Sequence, residues 1–118
     1  MADLAIMVMS GPDDGQVLYL DQVRDGQLGS DGTWSILFGR REECDVSIPF
    51  DTQVSRRHAY LRMQPDGRFV LEDVGSLNGT FLDRSKTRIE EPVFVGRGQL
   101  FRLGRTWMRI QADGEDES

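Results

Sequence analysis

The side chains best suited to binding an anion fall in four short segments of the chain. These segments are Gly39–Arg41, Val54–His58, Asp73–Thr80 and Gly98–Gly104. The first three combine guanidinium groups, hydroxyl groups and glycine-containing backbone, which are the hydrogen-bond donors that a phosphate dianion needs. None of the segments supplies a nucleophile together with a base and an acid. The pattern therefore predicts a phosphate-binding site rather than a catalytic centre.

Catalytic and metal chemistry have little support in this sequence. His58 is the single histidine and Cys44 the single cysteine, which excludes a Cys/His zinc site and an internal disulfide framework. A lone histidine without an activated nucleophile is weak evidence for catalysis. We therefore expect no enzyme activity, no metal and no cofactor, and we interpret Cys44 as a small packing residue.

Charge is distributed unevenly along the chain. The formal net charge is −6, yet residues 39–112 hold 13 basic and 10 acidic side chains, whereas residues 1–38 and 113–118 are acidic. Thirteen of the fourteen basic residues are arginine, which is suited to bidentate recognition of carboxylate or phosphate. This distribution argues against general nucleic-acid binding and favours capture of a local anion. A scatter of solvated surface charges is the alternative.

The length of 118 residues fits one domain with a single core. No apolar run approaches the roughly 20 residues of a membrane span, and Met1–Leu4 has no basic region typical of a secretory signal. We expect a monomeric cytoplasmic domain over residues 1–112, with neither a membrane nor a nucleic acid as partner. Residues 113–118 are expected to form a disordered acidic tail.

The elements that must position the anion-binding segments are predicted to be short β-strands. Apolar residues alternate over short stretches, and turn signals such as Pro65–Gly67 and Asn78–Gly79 separate them. The candidate strands are Leu4–Met9, Gln16–Leu20, Trp34–Phe38, Val46–Ile48, His58–Met63, Phe69–Glu72, Thr80–Leu82, Arg88–Ile89, Val93–Val95, Leu100–Leu103 and Trp107–Ile110. This pattern favours an all-β sandwich, in which loops distant in sequence converge at one end.

Alternation within these stretches also predicts which side chains face the core. The predicted inward residues are Ile6, Val8, Leu18, Ile36, Phe38, Val70, Phe81, Leu103 and Met108. Residues 21–33 are rich in Gly and Asp and are expected to form an extended hairpin or a mobile loop.

The order of the motifs resembles that of a forkhead-associated (FHA) domain. The resemblance rests on Gly39–Arg40, Cys44–Ile48, Val54–Ala59 and Leu71–Phe81, and it extends from about Leu4 to Ile110. It implies an eleven-stranded, antiparallel-type β-sandwich of the FHA/SMAD-like kind, without substantial helix. It also implies binding of phosphothreonine in flexible segments of partner proteins.

The resemblance further implies roles for individual residues. Arg40 and Ser55 would bind phosphate oxygens, and Arg56 would add a further donor. Asn78 would hold the main chain of the bound peptide through its amide. The residues expected to support the site are Gly39, His58, Ser76, Gly79 and Thr80.

The leading hypothesis is a non-catalytic module that binds a threonine-phosphorylated protein or peptide, the product of a Ser/Thr kinase. A phosphate-independent interaction domain with the same fold is the alternative. Leu77 leaves that alternative open, because many members of the family have threonine there, and its hydroxyl adds a phosphate contact. An enzyme acting on phosphoesters is disfavoured, since the sequence holds no clustered metal ligands and no nucleophile with a base.

Overall fold

The computed structural model describes residues 3–111, and this range contains eleven β-strands and no helix. The strands are β1 (Leu4–Val8), β2 (Val17–Leu20), β3 (Gln27–Leu28), β4 (Trp34–Gly39), β5 (Val46–Ser47), β6 (Ala59–Met63), β7 (Phe69–Asp73), β8 (Thr80–Leu82), β9 (Val93–Val95), β10 (Leu100–Leu103) and β11 (Thr106–Ile110). No helix able to span a bilayer occurs in the described residues. The expected acidic tail, 113–118, lies outside them. The prediction of an eleven-stranded all-β fold is confirmed.

The strands form two sheets that share one core. The five-stranded sheet has the order β2-β1-β11-β10-β8, and the six-stranded sheet has the order β3-β4-β6-β7-β9, with β5 also pairing with β4. The β4–β5 pair is parallel, and the other strand pairs of both sheets are antiparallel. The predicted antiparallel-type sandwich is therefore present, with one short parallel pair at its edge.

An aromatic pair joins the two sheets near the end of β4. The rings of Phe38 in β4 and Phe101 in β10 are both fully buried and meet edge to face, with centroids 5.9 Å apart. Around them pack fully buried aliphatic and aromatic side chains from both sheets, including Ile6, Trp34, Ile36, Leu61, Leu71, Leu103, Met108 and Ile110. The loop 40–45, which follows β4, therefore begins two residues after a buried side chain of the core.

Strand register brings three loops to one end of the sandwich. Phe38, near the end of β4, pairs with Ala59 at the start of β6, and Ala59 pairs in turn with Asp73 at the end of β7. The loops that leave or enter the sheet at this end are 40–45, 48–58 and 74–79. The turn between β6 and β7, residues 64–68, lies at the opposite end.

The inward positions of β7 and β8 differ from the prediction by one residue. Thr80 in β8 is buried, whereas Phe81 is half-buried on the outer face, 4.1 Å from the guanidinium carbon of Arg102 to its ring centroid. Val70 in β7 likewise faces outward. Because side chains alternate along a strand, a shift of one residue exchanges the two faces. In β8 the inward-facing residue is Thr80, whose hydroxyl donates a hydrogen bond to Asp73.

One predicted strand is also wrong, and one strand was not predicted. Arg88–Ile89 is not a strand, although the Ile89 N–H donates to the Thr80 carbonyl at 2.8 Å. Instead Gln27–Leu28 pairs with the start of β4, so residues 21–33 include the first arm of a hairpin, one of the two outcomes expected for that segment. A two-residue strand in polar, Gly-rich sequence has too few positions to show alternation.

Candidate functional site

The three loops enclose a groove of about 560 Å³ at their end of the sandwich. The four residues that the sequence predicts to bind a phosphopeptide all line this groove: Arg40, Ser55, Arg56 and Asn78. The sequence places them on three separate loops, and the fold brings them to one surface.

A close backbone approach positions the first two of these loops. The Arg40 N–H donates to the Ser55 carbonyl at 3.0 Å. A Cβ at Gly39 would overlap the carbonyl oxygen of Arg56, so only glycine fits there. The same carbonyl accepts a hydrogen bond from the Cys44 thiol at 3.2 Å. Gly39 therefore allows the close contact between the two loops, and Cys44 is buried beside them.

The groove presents two guanidinium groups without a partner in the described part of the chain. Neither the Arg40 nor the Arg56 side chain has a hydrogen bond or ion pair to residues 3–111. The other two arginines of the groove are already engaged, Arg41 with Glu43 at 3.4 Å and Arg57 with the Tyr60 hydroxyl at 2.9 Å. The guanidinium groups of Arg40 and Arg56 are thus both available to an anion.

Ser55 is held so that its hydroxyl proton remains available. Its Oγ accepts a hydrogen bond from the Leu77 N–H at 3.1 Å, and its own N–H donates to Nδ1 of His58 at 3.0 Å. A hydroxyl that accepts one hydrogen bond can still donate its proton. The Ser55 hydroxyl can therefore donate to a ligand in the groove.

His58 connects two loops as a neutral ring. It is fully buried, and its Nε2 lies 2.9 Å from the Gly79 carbonyl, which can only accept. Nε2 therefore carries the proton and Nδ1 accepts from Ser55. Burial lowers the pKa of His58 and outweighs the opposing effects of the Gly79 carbonyl and the Asp73 carboxylate. Both ring nitrogens thus make hydrogen bonds within the domain, and the supporting role of His58 in ligand binding stays a prediction.

The Asp73 carboxylate organises the loop between β7 and β8. It accepts hydrogen bonds from the N–H groups of Gly75 and Ser76 at 2.9 Å and from the hydroxyls of Ser76 and Thr80 at 2.5 and 2.7 Å. The Ser76 hydroxyl in turn accepts the Gly79 N–H at 2.9 Å. Burial by itself opposes ionisation of Asp73, but these hydrogen bonds outweigh it and lower its pKa.

Arg88 completes this cluster from the loop after β8. Its guanidinium donates to the Ser76 carbonyl at 2.7 Å and lies 3.6 Å from the Asp73 carboxylate. Gly79 has φ +91°, and a Cβ there would lie 3.0 Å from the Cβ of Arg88, so glycine is required by both conformation and space. Sequence reasoning assigned no role to Asp73 or Arg88. The Asp-x-Gly-Ser spacing, typical of an Asx turn, was a usable signal for Asp73, whereas nothing local marks Arg88.

A second buried carboxylate holds the loop that carries Gln53. Asp51 accepts hydrogen bonds from the Gln53 and Arg105 N–H groups at 2.9 and 2.8 Å and from the Thr106 hydroxyl at 2.7 Å. The Gln53 carbonyl accepts from the Asn78 side-chain amide at 2.9 Å. Because a carbonyl can only accept, this contact fixes the amide orientation and leaves the Asn78 Oδ1 as the acceptor for a ligand. Sequence reasoning also missed Asp51.

The arrangement as a whole can bind a doubly charged anion and a neighbouring amide. Arg40, Arg56 and Ser55 supply donors, and Asn78 supplies an acceptor. Within residues 3–111 no group of three or more His, Cys, Asp or Glu side chains is placed to hold a metal ion.

A model of the FHA domain family matches residues 36–104, which is more than half of the chain. This chain belongs to the FHA domain family. The matched range includes the three loops of the groove and all four of its predicted binding residues. The family resemblance drawn from the sequence is thereby confirmed.

Named relatives extend the comparison beyond the family model. The oxoglutarate dehydrogenase inhibitor of Corynebacterium diphtheriae is 38% identical over 85 residues, covering 72% of this chain and 50% of that protein. The glycogen accumulation regulator GarA of Mycobacterium tuberculosis is 35% identical over 115 residues, covering 95% of this chain and 61% of that protein. The chain spans about half the length of the Corynebacterium relatives that it matches.

A solved FHA domain has the same architecture. Its structure was determined in work on phosphothreonine-dependent FHA domain interactions, and it is 25% identical to this chain. The TM-score is 0.67, and the match covers 92% of this chain and 95% of that domain.

The lowered pKa of His58 generates a prediction about stability. Below its ordinary pKa of about 6.5, the unfolded chain takes up a proton on His58 that the folded chain does not. The free energy of unfolding should therefore fall from pH 7 to pH 5, by no more than about 1.4 kcal/mol per pH unit. Asp73 and Asp51, whose pKa values are lowered, add their losses only below about pH 4.

Urea unfolding at pH 7, 6 and 5 measures this slope, with His58→Gln as the comparison. The variant should be less stable at pH 7, because the Ser55 and Gly79 hydrogen bonds are disturbed, but its slope should be flatter. Equal slopes in the two proteins would show that His58 does not take up a proton on unfolding.

Proposed function

We propose that this domain binds phosphothreonine-containing segments of partner proteins and catalyses no reaction. The observation that carries the proposal is the convergence, in one groove, of two unpartnered guanidinium groups with a hydroxyl whose proton is free. These groups belong to Arg40, Arg56 and Ser55. The related FHA domain solved for phosphothreonine-dependent interactions supports the same assignment.

A phosphorylated threonine matches these donors in charge and in shape. Its phosphate carries a charge of about −1.5 to −2 at pH 7 and offers three strong acceptor oxygens. Arg40 and Arg56 supply charge-assisted hydrogen bonds, and Ser55 supplies a neutral one. Asn78 presents an acceptor for an N–H of the peptide main chain. Because the groove is small and open, we expect a dissociation constant on the order of micromolar.

The way in which the reactive groups are used supports the proposal that the domain has no catalytic role. His58 is buried, and both of its ring nitrogens are hydrogen-bonded to the backbone of Ser55 and Gly79. It is therefore not available as a base for a bound ligand. Two relatives are named as an inhibitor and a regulator, which supports a binding role. We propose that the partner is a substrate of a Ser/Thr kinase, and that the domain acts as a cytoplasmic monomer without a nucleic-acid or membrane partner.

Removing the central donors should weaken binding of a phosphothreonine peptide while leaving the fold intact. Arg40→Ala should cost about 2–4 kcal/mol of binding free energy, because it removes a charge partner of the phosphate. Ser55→Ala should cost about 1–2 kcal/mol, the scale of one hydrogen bond to a charged group. Calorimetric titration with the phosphorylated peptide and its unphosphorylated twin measures both effects.

Arg68→Ala is the matched control for this experiment. Arg68 is exposed and pairs with Asp66 on the turn at the opposite end of the sandwich, so its removal should leave the affinity unchanged. Wild-type affinity in Arg40→Ala would overturn the assignment of the phosphate site. Equal binding of the phosphorylated and unphosphorylated peptides would favour the phosphate-independent alternative.

The groove should also rank ligands by the geometry of their charge. A glutamate side chain carries one charge and two planar oxygens, so it leaves at least one donor of the groove unpaired, at a cost of about 1–3 kcal/mol. Phosphothreonine should bind more tightly than phosphoserine by the contribution of one methyl group, about 0.8 kcal/mol by transfer. Titration of three peptides that differ only at this residue measures the order. Tight binding of the glutamate peptide would exclude a phosphate site.

A further inference from the structure

One apolar side chain lines the groove in the midst of its charged and hydroxyl groups. Leu77 is 83% exposed and contributes to the groove wall beside Ser55 and Asn78. An exposed leucine is common on protein surfaces. Leu77, however, lies at the proposed ligand site, where its exposed side chain can contact a bound peptide.

The backbone around Leu77 is fixed on both sides. Its N–H donates to the Ser55 Oγ at 3.1 Å. Before it, Ser76 is buried in the cluster around Asp73. After it, Asn78 is tied through its side chain to the loop that carries Gln53. The Leu77 side chain is therefore presented to the groove by a loop that cannot easily turn it towards the core.

The distance between Leu77 and a bound phosphate is short. A phosphate oxygen bonded to the Ser55 Oγ would lie about 2.7 Å from it, and the Leu77 nitrogen is 3.1 Å from the same Oγ. The two are therefore within roughly 6 Å of each other. Consecutive Cα atoms of a peptide are about 3.8 Å apart, so the residues nearest the phosphothreonine pass within reach of the leucine.

We propose that Leu77 is a specificity-determining residue that packs against an apolar side chain of the peptide, within two residues of the phosphothreonine. The inference rests on the proposed function and adds the sequence context of the phosphorylated segment. The leucine side chain has no hydrogen-bond donor or acceptor, so it contributes to binding only by being covered with apolar surface. The preferred ligand is a phosphothreonine with an apolar close neighbour.

The test uses a series of phosphothreonine peptides in which the four residues nearest the phosphothreonine are serine. Leucine replaces serine at one of these four positions at a time, and each peptide is titrated against wild type, Leu77→Ala and Val74→Ala. Val74 is the matched control, because it is an exposed apolar residue of the same loop that does not line the groove. Thermal unfolding curves establish that the three proteins are folded.

In wild type, leucine should raise affinity about 3- to 10-fold at one or more positions, the scale of partial burial of two aliphatic side chains. Leu77→Ala should reduce that ratio to within about twofold of unity, and Val74→Ala should preserve it. An absent gain at all four positions, or a gain that survives Leu77→Ala, would overturn the proposal.

These outcomes are distinguishable from failure of the proposed function. If wild type binds the phosphorylated peptides no better than their unphosphorylated twins, the phosphate site is wrong, and the role of Leu77 beside it is wrong as well. If phosphate dependence is strong but the leucine gain does not depend on Leu77, the specificity role alone is overturned.

Discussion

Two buried carboxylates, Asp73 and Asp51, hold two of the three loops that line the groove, 74–79 and 48–58. A buried charge is costly unless hydrogen bonds satisfy it, and each of these carboxylates accepts at least three. The donors are backbone N–H groups and hydroxyls of these two loops, together with the Thr80 hydroxyl of β8, the Arg105 N–H and the Thr106 hydroxyl of β11. Satisfying the carboxylates therefore fixes the loop conformations during folding, before any ligand arrives, and such preorganisation lowers the cost of binding.

A buried negative charge in a loop that lines a proposed phosphate site needs compensation. Asp73 is compensated by its four hydrogen bonds and by Arg88, whose guanidinium lies 3.6 Å away on the side of the next loop. His58 adds no charge, because its burial favours the neutral ring. Of the four arginines that line the groove, Arg40 and Arg56 are the two whose side chains have no hydrogen bond or ion pair to residues 3–111, so neither is paired with the Asp73 carboxylate.

Much of the fold follows from local sequence, and the exceptions have physical causes. Alternation and turn signals predict most of the strands, because a half-buried strand needs an apolar residue at every second position. Phe81 was predicted inward from the alternation of apolar residues, yet Thr80 takes the inward position and its hydroxyl donates to Asp73. Pattern alone does not reveal such a polar contact. The strand Gln27–Leu28 was missed because two residues are too few to show alternation, and only their pairing with β4 identifies them as a strand.

The candidate site was likewise predicted only in part from the sequence. Its ligand-facing residues were predicted from motif order, and the fold brings them together, while their roles in binding remain predictions. The groups underneath, Asp51 and Arg88 above all, were missed because their partners are distant in sequence: Asp51 bonds to Thr106 and Arg88 to Ser76. The residues predicted to touch a ligand lie in short sequence motifs, whereas the residues that hold those motifs in place are identified only by contacts in the folded structure.

The most direct measurement is a crystal structure of the domain bound to a phosphothreonine peptide. We expect a phosphate oxygen within hydrogen-bond distance of the Ser55 Oγ, a second contacting the Arg40 guanidinium, and an unchanged hydrogen bond from the Leu77 N–H to Ser55. The hydrogen bonds to Asp73 and Asp51 should also be the same as in the free domain. A peptide seated on a sheet face, or a phosphate bound away from Arg40 and Ser55, would contradict the assignment of this groove.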